Sequence, residues 1–203
     1  MKIKLTKGEL KRQRDALRQY RRFLPTLQLK KQQLQLAILH EVALAGQRSD
    51  TLSHRKSSAE VWAGLLSDES VDISAYLAPK AVLKSAKNIA GVDVPVFEKA
   101  EFDTAEYDLF LAPMWVDNAV DALREIKSLT EEIAVIQEGI NVLRKELRTT
   151  SQRVNLFEKI KIPGAEEAVR LIKIYIGDQL TNAVGRSKIA KRKIEEAAMQ
   201  GVA

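Results

Sequence analysis

Counting in sevens from Ile126 gives Ile126, Ile133, Ile140, Leu147 and Val154; counting in sevens from Leu129 gives Leu129, Ile136, Leu143, Thr150 and Phe157. Nine of these ten positions are apolar. A seven-residue repeat with two apolar positions marks a helix that packs along a narrow seam against another helix. Strands alternate in twos and cannot present such a seam. A helix of this kind draws its stability from whatever covers the seam, so a second long helix is to be sought in the chain.

The first sixty residues supply one. Thr6-Lys7-Gly8-Glu9 has the form of a capping box, in which hydroxyl and carboxylate satisfy the free backbone donors of a helix start. Leu10, Leu17, Leu24, Leu27, Leu34, Ile38, Val42, Ala45 and Leu52 then form one apolar stripe. A helix from near Thr6 to about residue 60 is predicted, about 80 Å long at 1.5 Å per residue. Pro25 removes a backbone donor and disfavours helical geometry at Leu24, so a kink or local break is expected there.

The second helix is expected to start after Pro113, with Asp117 and Asp121 placed where negative charge suits the helix dipole. Pro163-Gly164 interrupts its pattern, after which Ala165, Ala168, Ile172, Tyr175, Ile176, Leu180, Val184 and Ile189 restart a stripe. The helix is expected to kink near Pro163 and continue to about residue 198, a path approaching about 130 Å. Between the helices, residues 62–113 carry Trp62, Tyr76, Phe97, Phe102, Tyr107 and Phe110 together with Pro79 and Pro95. There Val82–Ile89 and Val92–Phe97 flank Ala90-Gly91, which favours a β-hairpin, with a helix over 81–87 as the alternative.

The fold class that follows is predominantly α: a long antiparallel two-helix coiled coil with a small insert of short helices and a hairpin. Its divisions are residues 1–61, 62–113 and 114–203. Antiparallel pairing brings both termini to one end, and that end is basic. Residues 1–22 hold nine basic and two acidic side chains, and Arg186, Lys188, Lys191, Arg192 and Lys193 crowd the other terminus.

The same residues argue against an active site. The chain has no cysteine, which removes disulfides, thiolate metal sites and thiol nucleophiles and fits a reducing compartment such as the cytoplasm. His40 and His54 lie about 21 Å apart along one helix, too far to share a metal. Asp68, Glu69, Asp72 and the carboxylates from Asp103 to Asp108 read as loop and capping charges. No phosphate-binding or dinucleotide-binding loop and no nucleophile motif is present, so neither metal nor cofactor is expected. The longest apolar runs are too short to span a bilayer or to serve as a secretory signal. A net charge of +6 leaves open a basic coiled coil that binds nucleic acid or anionic membrane.

Gln152-Arg153-Val154-Asn155-Leu156-Phe157-Glu158 followed by Ile162-Pro163 resembles a run found in the central-stalk D subunits of V-type and archaeal A-type rotary ATPases. Leu5-Thr6 with its basic helix leading to Leu27-Gln28-Leu29-Lys30-Lys31, and Asn88-Ile89-Ala90-Gly91-Val92-Asp93-Val94-Pro95, resemble the same family in the same order. Pro25 and the short tail after Glu196 depart from it. The resemblance implies a non-catalytic rotor shaft that carries torque between ATP hydrolysis or synthesis in a catalytic hexamer and ion movement in a membrane ring. It implies that Arg12, Arg14, Arg18, Arg186, Lys188, Lys191 and Arg192 face the catalytic and non-catalytic chains of that hexamer. It places Asn88, Gly91 and Pro95 near the small companion of the stalk, the F subunit, with a membrane-proximal stalk subunit beyond. For Arg153-Val154-Asn155, a companion contact and a purely register-fixing role both stand. The complex would sit peripherally on the cytoplasmic face of a membrane.

Overall fold

The computed structural model describes residues 4–67, 73, 76–104 and 113–200. Helix α1 spans Lys7–Glu60, strands β1 and β2 span Pro79–Ile89 and Val92–Phe102, and α2 spans Trp115–Leu156. A π-helical turn over Phe157–Lys161 leads directly into α3, Ile162–Gln200. A short 3-10 turn, Ala63–Ser67, follows α1. Tyr107, Phe110, Asp68, Glu69, Asp72 and Asp108 lie outside the described residues.

Helix α1 starts where its cap lies. The Glu9 backbone N–H donates to Thr6 Oγ1 at 3.2 Å, which is half of the expected capping box. The Glu9 carboxylate turns forward to Gln13 Nε2 instead, at 2.7 Å. Pro25 stands inside this single helix, and the break considered from the sequence does not occur. The missing donor leaves the Arg21 carbonyl without its intrahelical bond, but Pro25 is exposed and water can serve that carbonyl.

The chain divides into two compact units, residues 30–150 and residues 1–29 with 151–203. In the first unit α1 and α2 run antiparallel. Three ion pairs trace the register: Arg55 with Glu125 at 2.9 Å, Arg48 with Glu132 at 2.8 Å, and Lys30 with Glu146 at 2.8 Å. The Arg48 Nε–H is not aimed at its carboxylate, so that contact is ionic and not a hydrogen bond. The acids fall at residues 125, 132 and 146, beside the seam, where flanking charges of a coiled coil meet. The residue at the missing interval is Gly139.

The hairpin lies against this pair as a third layer. Val94 from β2 joins Leu34 from α1 and Leu143 from α2 in one buried cluster, with Ala37, Ile38, Ile89, Ala90, Val92 and Leu147 packed around it. Burying each such side chain is worth about 1.5–3 kcal/mol, so three elements share one apolar anchor. The strands are longer than the alternation predicted, and the helical alternative over 81–87 is not adopted. Their connection is a two-residue turn in which Ala90 has φ 52° and Gly91 φ 77°. Two positive φ values match the right-handed twist of a hairpin. Gly91 enters that region freely, whereas Ala90 is strained there by its Cβ.

In the other unit, Tyr20 packs on Phe157 with ring centroids 5.3 Å apart, and Arg21 pairs with Glu166 at 2.6 Å. Val154, Ala165, Ala168 and Ile172 are buried.

Candidate interaction surfaces

No group of histidine, cysteine or carboxylate side chains able to hold a metal occurs among the described residues. His40 is exposed and 3.8 Å from Glu41, and His54 is exposed on the same helix. What the described residues offer is surface.

Three contacts position the hairpin on α2. At its base, Arg124 donates from Nε to the Tyr76 carbonyl at 3.0 Å and from a terminal nitrogen to the Asp103 carbonyl at 2.6 Å, and its guanidinium lies over the Phe102 ring at 5.4 Å. Midway, Lys84 pairs with Glu138 at 2.8 Å. Next to that pair, Val94 occupies the space over Gly139: a Cβ on residue 139 would stand 2.7 Å from Val94 Cγ1 and 3.6 Å from the Pro95 carbonyl oxygen. Non-bonded carbons rest at about 3.5–4.0 Å, so only glycine lets the strand sit this close. At the tip, Asn88 Nδ2 donates to Asp93 Oδ1 at 2.6 Å and the Gly91 N–H donates to Asn88 Oδ1 at 3.1 Å. Asn88 thus holds the turn that Ala90 strains. Asn88 and Gly91 are exposed and Pro95 is half-buried.

Beside the hairpin anchor, Gln32, Gln35, Leu36, Ile38, Leu39 and Leu147 line a groove of about 600 Å³. Leu36 and Leu39 are each 67% exposed on its rim. Scattered apolar side chains on a surface are ordinary, but neighbours on one helix face beside a groove form a patch that fits a partner.

The unit containing both termini holds the basic residues named from the sequence. Arg12, Arg14 and Arg18 are carried on α1, and Arg186, Lys188, Lys191 and Arg192 on α3. The first three of the α3 set and Arg192 are all exposed. Arg12 lies 3.7 Å from Glu9, Lys191 3.6 Å from Glu195 and Arg192 3.2 Å from Glu196, each within one helix turn. Pairs of this type contribute about 0.2–0.5 kcal/mol and give way readily to another anion. Ile174, Leu180, Val184, Ile189 and Ile194 along α3 are each at least half exposed.

Of the seam positions, Ile136, Ile140, Leu143, Thr150 and Val154 are buried, and Ile126, Leu129, Ile133, Leu147 and Phe157 are half-buried. Arg153 and Asn155 flank buried Val154 and are both exposed. Sequence reasoning weighed Gly139 with Gly177 and Gly185 as either a site of close approach or a tolerated helix glycine, and passed over Arg124 and the buried Val116, Ala119, Val120 and Val135. The charges at 125, 132 and 146, one residue before successive seam positions, were a signal for the ion-pair register, and the glycine at 139 marked its gap.

The family model for the D subunit of ATP synthase matches residues 9–192. The V-type ATP synthase D subunit of Borreliella burgdorferi is 41% identical over 193 residues, covering 95% of each chain. Proteins of the same name from Chlamydia trachomatis and Chlamydia abortus are 32% and 33% identical, each covering 96% of this chain and 97% and 94% of their own.

Proposed function

Because this chain belongs to the family of ATP synthase D subunits, we propose that it is the central-stalk rotor shaft of a V-type rotary ATPase and carries torque between the catalytic hexamer and the ion-translocating ring. The observation that carries this reading is the match over residues 9–192, which takes in the paired helices and the hairpin alike. In this role the chain is not catalytic. Two antiparallel helices lack threefold symmetry, so inside a ring of three catalytic pockets they press on each one differently, and turning exchanges those states.

The exposed surfaces suit such an assignment. Arg12, Arg14, Arg18, Arg186, Lys188, Lys191 and Arg192 meet the hexamer in this reading, and the exposed apolar residues of α3 are covered by the same ring. The apolar seam from Ile126 to Phe157 keeps the helices in register under load. The Leu36–Leu39 groove and the neighbouring hairpin tip at Asn88, Gly91 and Pro95 receive the small companion of the stalk, the F subunit. A membrane-proximal stalk subunit connects the shaft to the ion ring. No helix of the described residues is long and apolar enough to cross a membrane, and in this reading the chain works on the cytoplasmic side as a peripheral part of the complex.

Purification of the tagged chain under mild conditions tests the assignment, with nucleotide-binding subunits and ATPase activity expected to copurify. A cysteine at Lys191 crosslinked to the hexamer should then stop ATP turnover, and reduction should restore it. Turnover unaffected by a complete crosslink would refute rotation of this chain.

A further inference from the structure

Within the unit that holds both termini, the apolar seam slips by one residue. Continued in sevens from Val154 and Phe157, the pattern would fall on Lys161, Gly164, Ala168 and Leu171. Lys161 and Gly164 are exposed and Leu171 is 39% exposed. Ala165 and Ile172 are buried instead, with Ile162 and Val169 half-buried, which is the same repeat advanced by one, and of the unshifted positions Ala168 alone stays buried. The extra residue is absorbed in the π-helical turn, where the Ile162 N–H donates to the Phe157 carbonyl five residues back. A seven-residue repeat interrupted by one residue needs such a local change of winding to keep its apolar face on one side.

Three features keep this turn soft. Pro163 brings no N–H, and in an unbroken α-helix its ring would press on the Lys159 carbonyl, so the wider turn is favoured over an α-turn here. Gly164 follows, and a Cβ there would meet nothing within 4 Å. No close approach requires this glycine, yet it has nearly the weakest helix propensity of any residue. On the outer side, Leu156 is 41% and Ile160 63% exposed, so little packing braces the turn. Its ends are held: Val154 is buried and Phe157 meets Tyr20 before the turn, and Ala165, Ala168 and Ile172 are buried after it.

We infer that Phe157–Lys161, with Pro163-Gly164, is a compliant joint: a place where the C-terminal helical path yields in twist while the packed residues on either side stay seated. A shaft that stores strain between steps needs one such place, but the joint is a property of the chain and holds whether or not the chain rotates.

Amide hydrogen exchange of the full-length chain tests it. Amides of residues 158–162 and 164 should exchange about tenfold or more faster than those of 151–156 and 166–172, as expected for a locally opening segment. Removing the extra residue and its lock together, by deleting Lys159 in a Pro163→Ala, Gly164→Ala background, should level the three stretches. Should that variant fail to fold, Gly164→Ala alone serves: it should slow exchange in the turn by about fivefold, the effect of one glycine-to-alanine helix preference. Even protection across 151–172 in the natural sequence would overturn the inference, as would fast exchange that persists unchanged in the folded variants. Neither outcome depends on assembly with a hexamer, so failure here is distinct from failure of the rotor assignment.

Discussion

Gly139→Ala sets two opposing effects against each other. On an isolated helix the change is favourable by about 0.8–1.0 kcal/mol, because glycine loses more backbone entropy than alanine. Here the new methyl would meet Val94 Cγ1 at 2.7 Å. Valine is branched at Cβ and stiff at χ1, so the methyl it presents cannot swing aside cheaply. Either the strand lifts, surrendering about 1.5–3 kcal/mol of Val94 burial, or the overlap is kept as packing strain of about 1–3 kcal/mol. The net expectation is a loss of about 0–2 kcal/mol where helix propensity alone promises a gain. A double-mutant cycle separates the two effects. Val94→Ala removes the offending methyl, so its cost should be smaller in the Gly139→Ala background, with a coupling of at least about 1 kcal/mol. Urea unfolding of the four proteins, followed by circular dichroism at equal m-values, measures it. Additivity, or a gain of the full propensity term in the single variant, would refute the claim that residue 139 is glycine to seat the hairpin.

Two further outcomes are expected. Ala90→Asn should raise hairpin stability by about 1 kcal/mol, since asparagine tolerates positive φ where alanine is strained, and native-state exchange of the β1–β2 amides would register it. Two hydrogen bonds from Arg170, at 2.6 and 2.8 Å, hold the Glu167 carboxyl below its ordinary value of 4.5. A lowered folded-state value gives stability that is present above that ordinary value and lost as pH falls through the depressed one. Arg170→Gln should therefore move the Glu167 titration up toward 4.5 and remove that acid-side dependence, as followed by carbon-detected NMR.

Much of the fold was legible because its strongest signals are periodic. The sevens from Ile126 and the stripe from Leu10 named two long helices, and Ala90-Gly91 between β-branched runs marked the hairpin. Pro25 misled in part: a local rule favours a break, but tertiary contacts on both sides of an exposed position outweigh one lost hydrogen bond. The surfaces were less legible. Gly139 differs from any tolerated helix glycine only by what stands above it, and that residue lies far away in sequence. Arg124 reaches backbone carbonyls, which carry no side-chain code. The slip between Phe157 and Ala165 was present in the numbering, but two separately plausible stripes hide a one-residue offset until burial shows which positions face inward.

The ion pairs between α1 and α2 share a polarity. Every base, Lys30, Arg48 and Arg55, is on the first helix, and every acid, Glu125, Glu132 and Glu146, is on the second. Two copies of α1 laid side by side would set cation against cation, and two copies of α2 would set carboxylate against carboxylate. During synthesis α1 leaves the ribosome long before its complement exists, carrying an unmatched row of positive charge. Pairing of like helices therefore carries a charge penalty that the α1–α2 pairing does not.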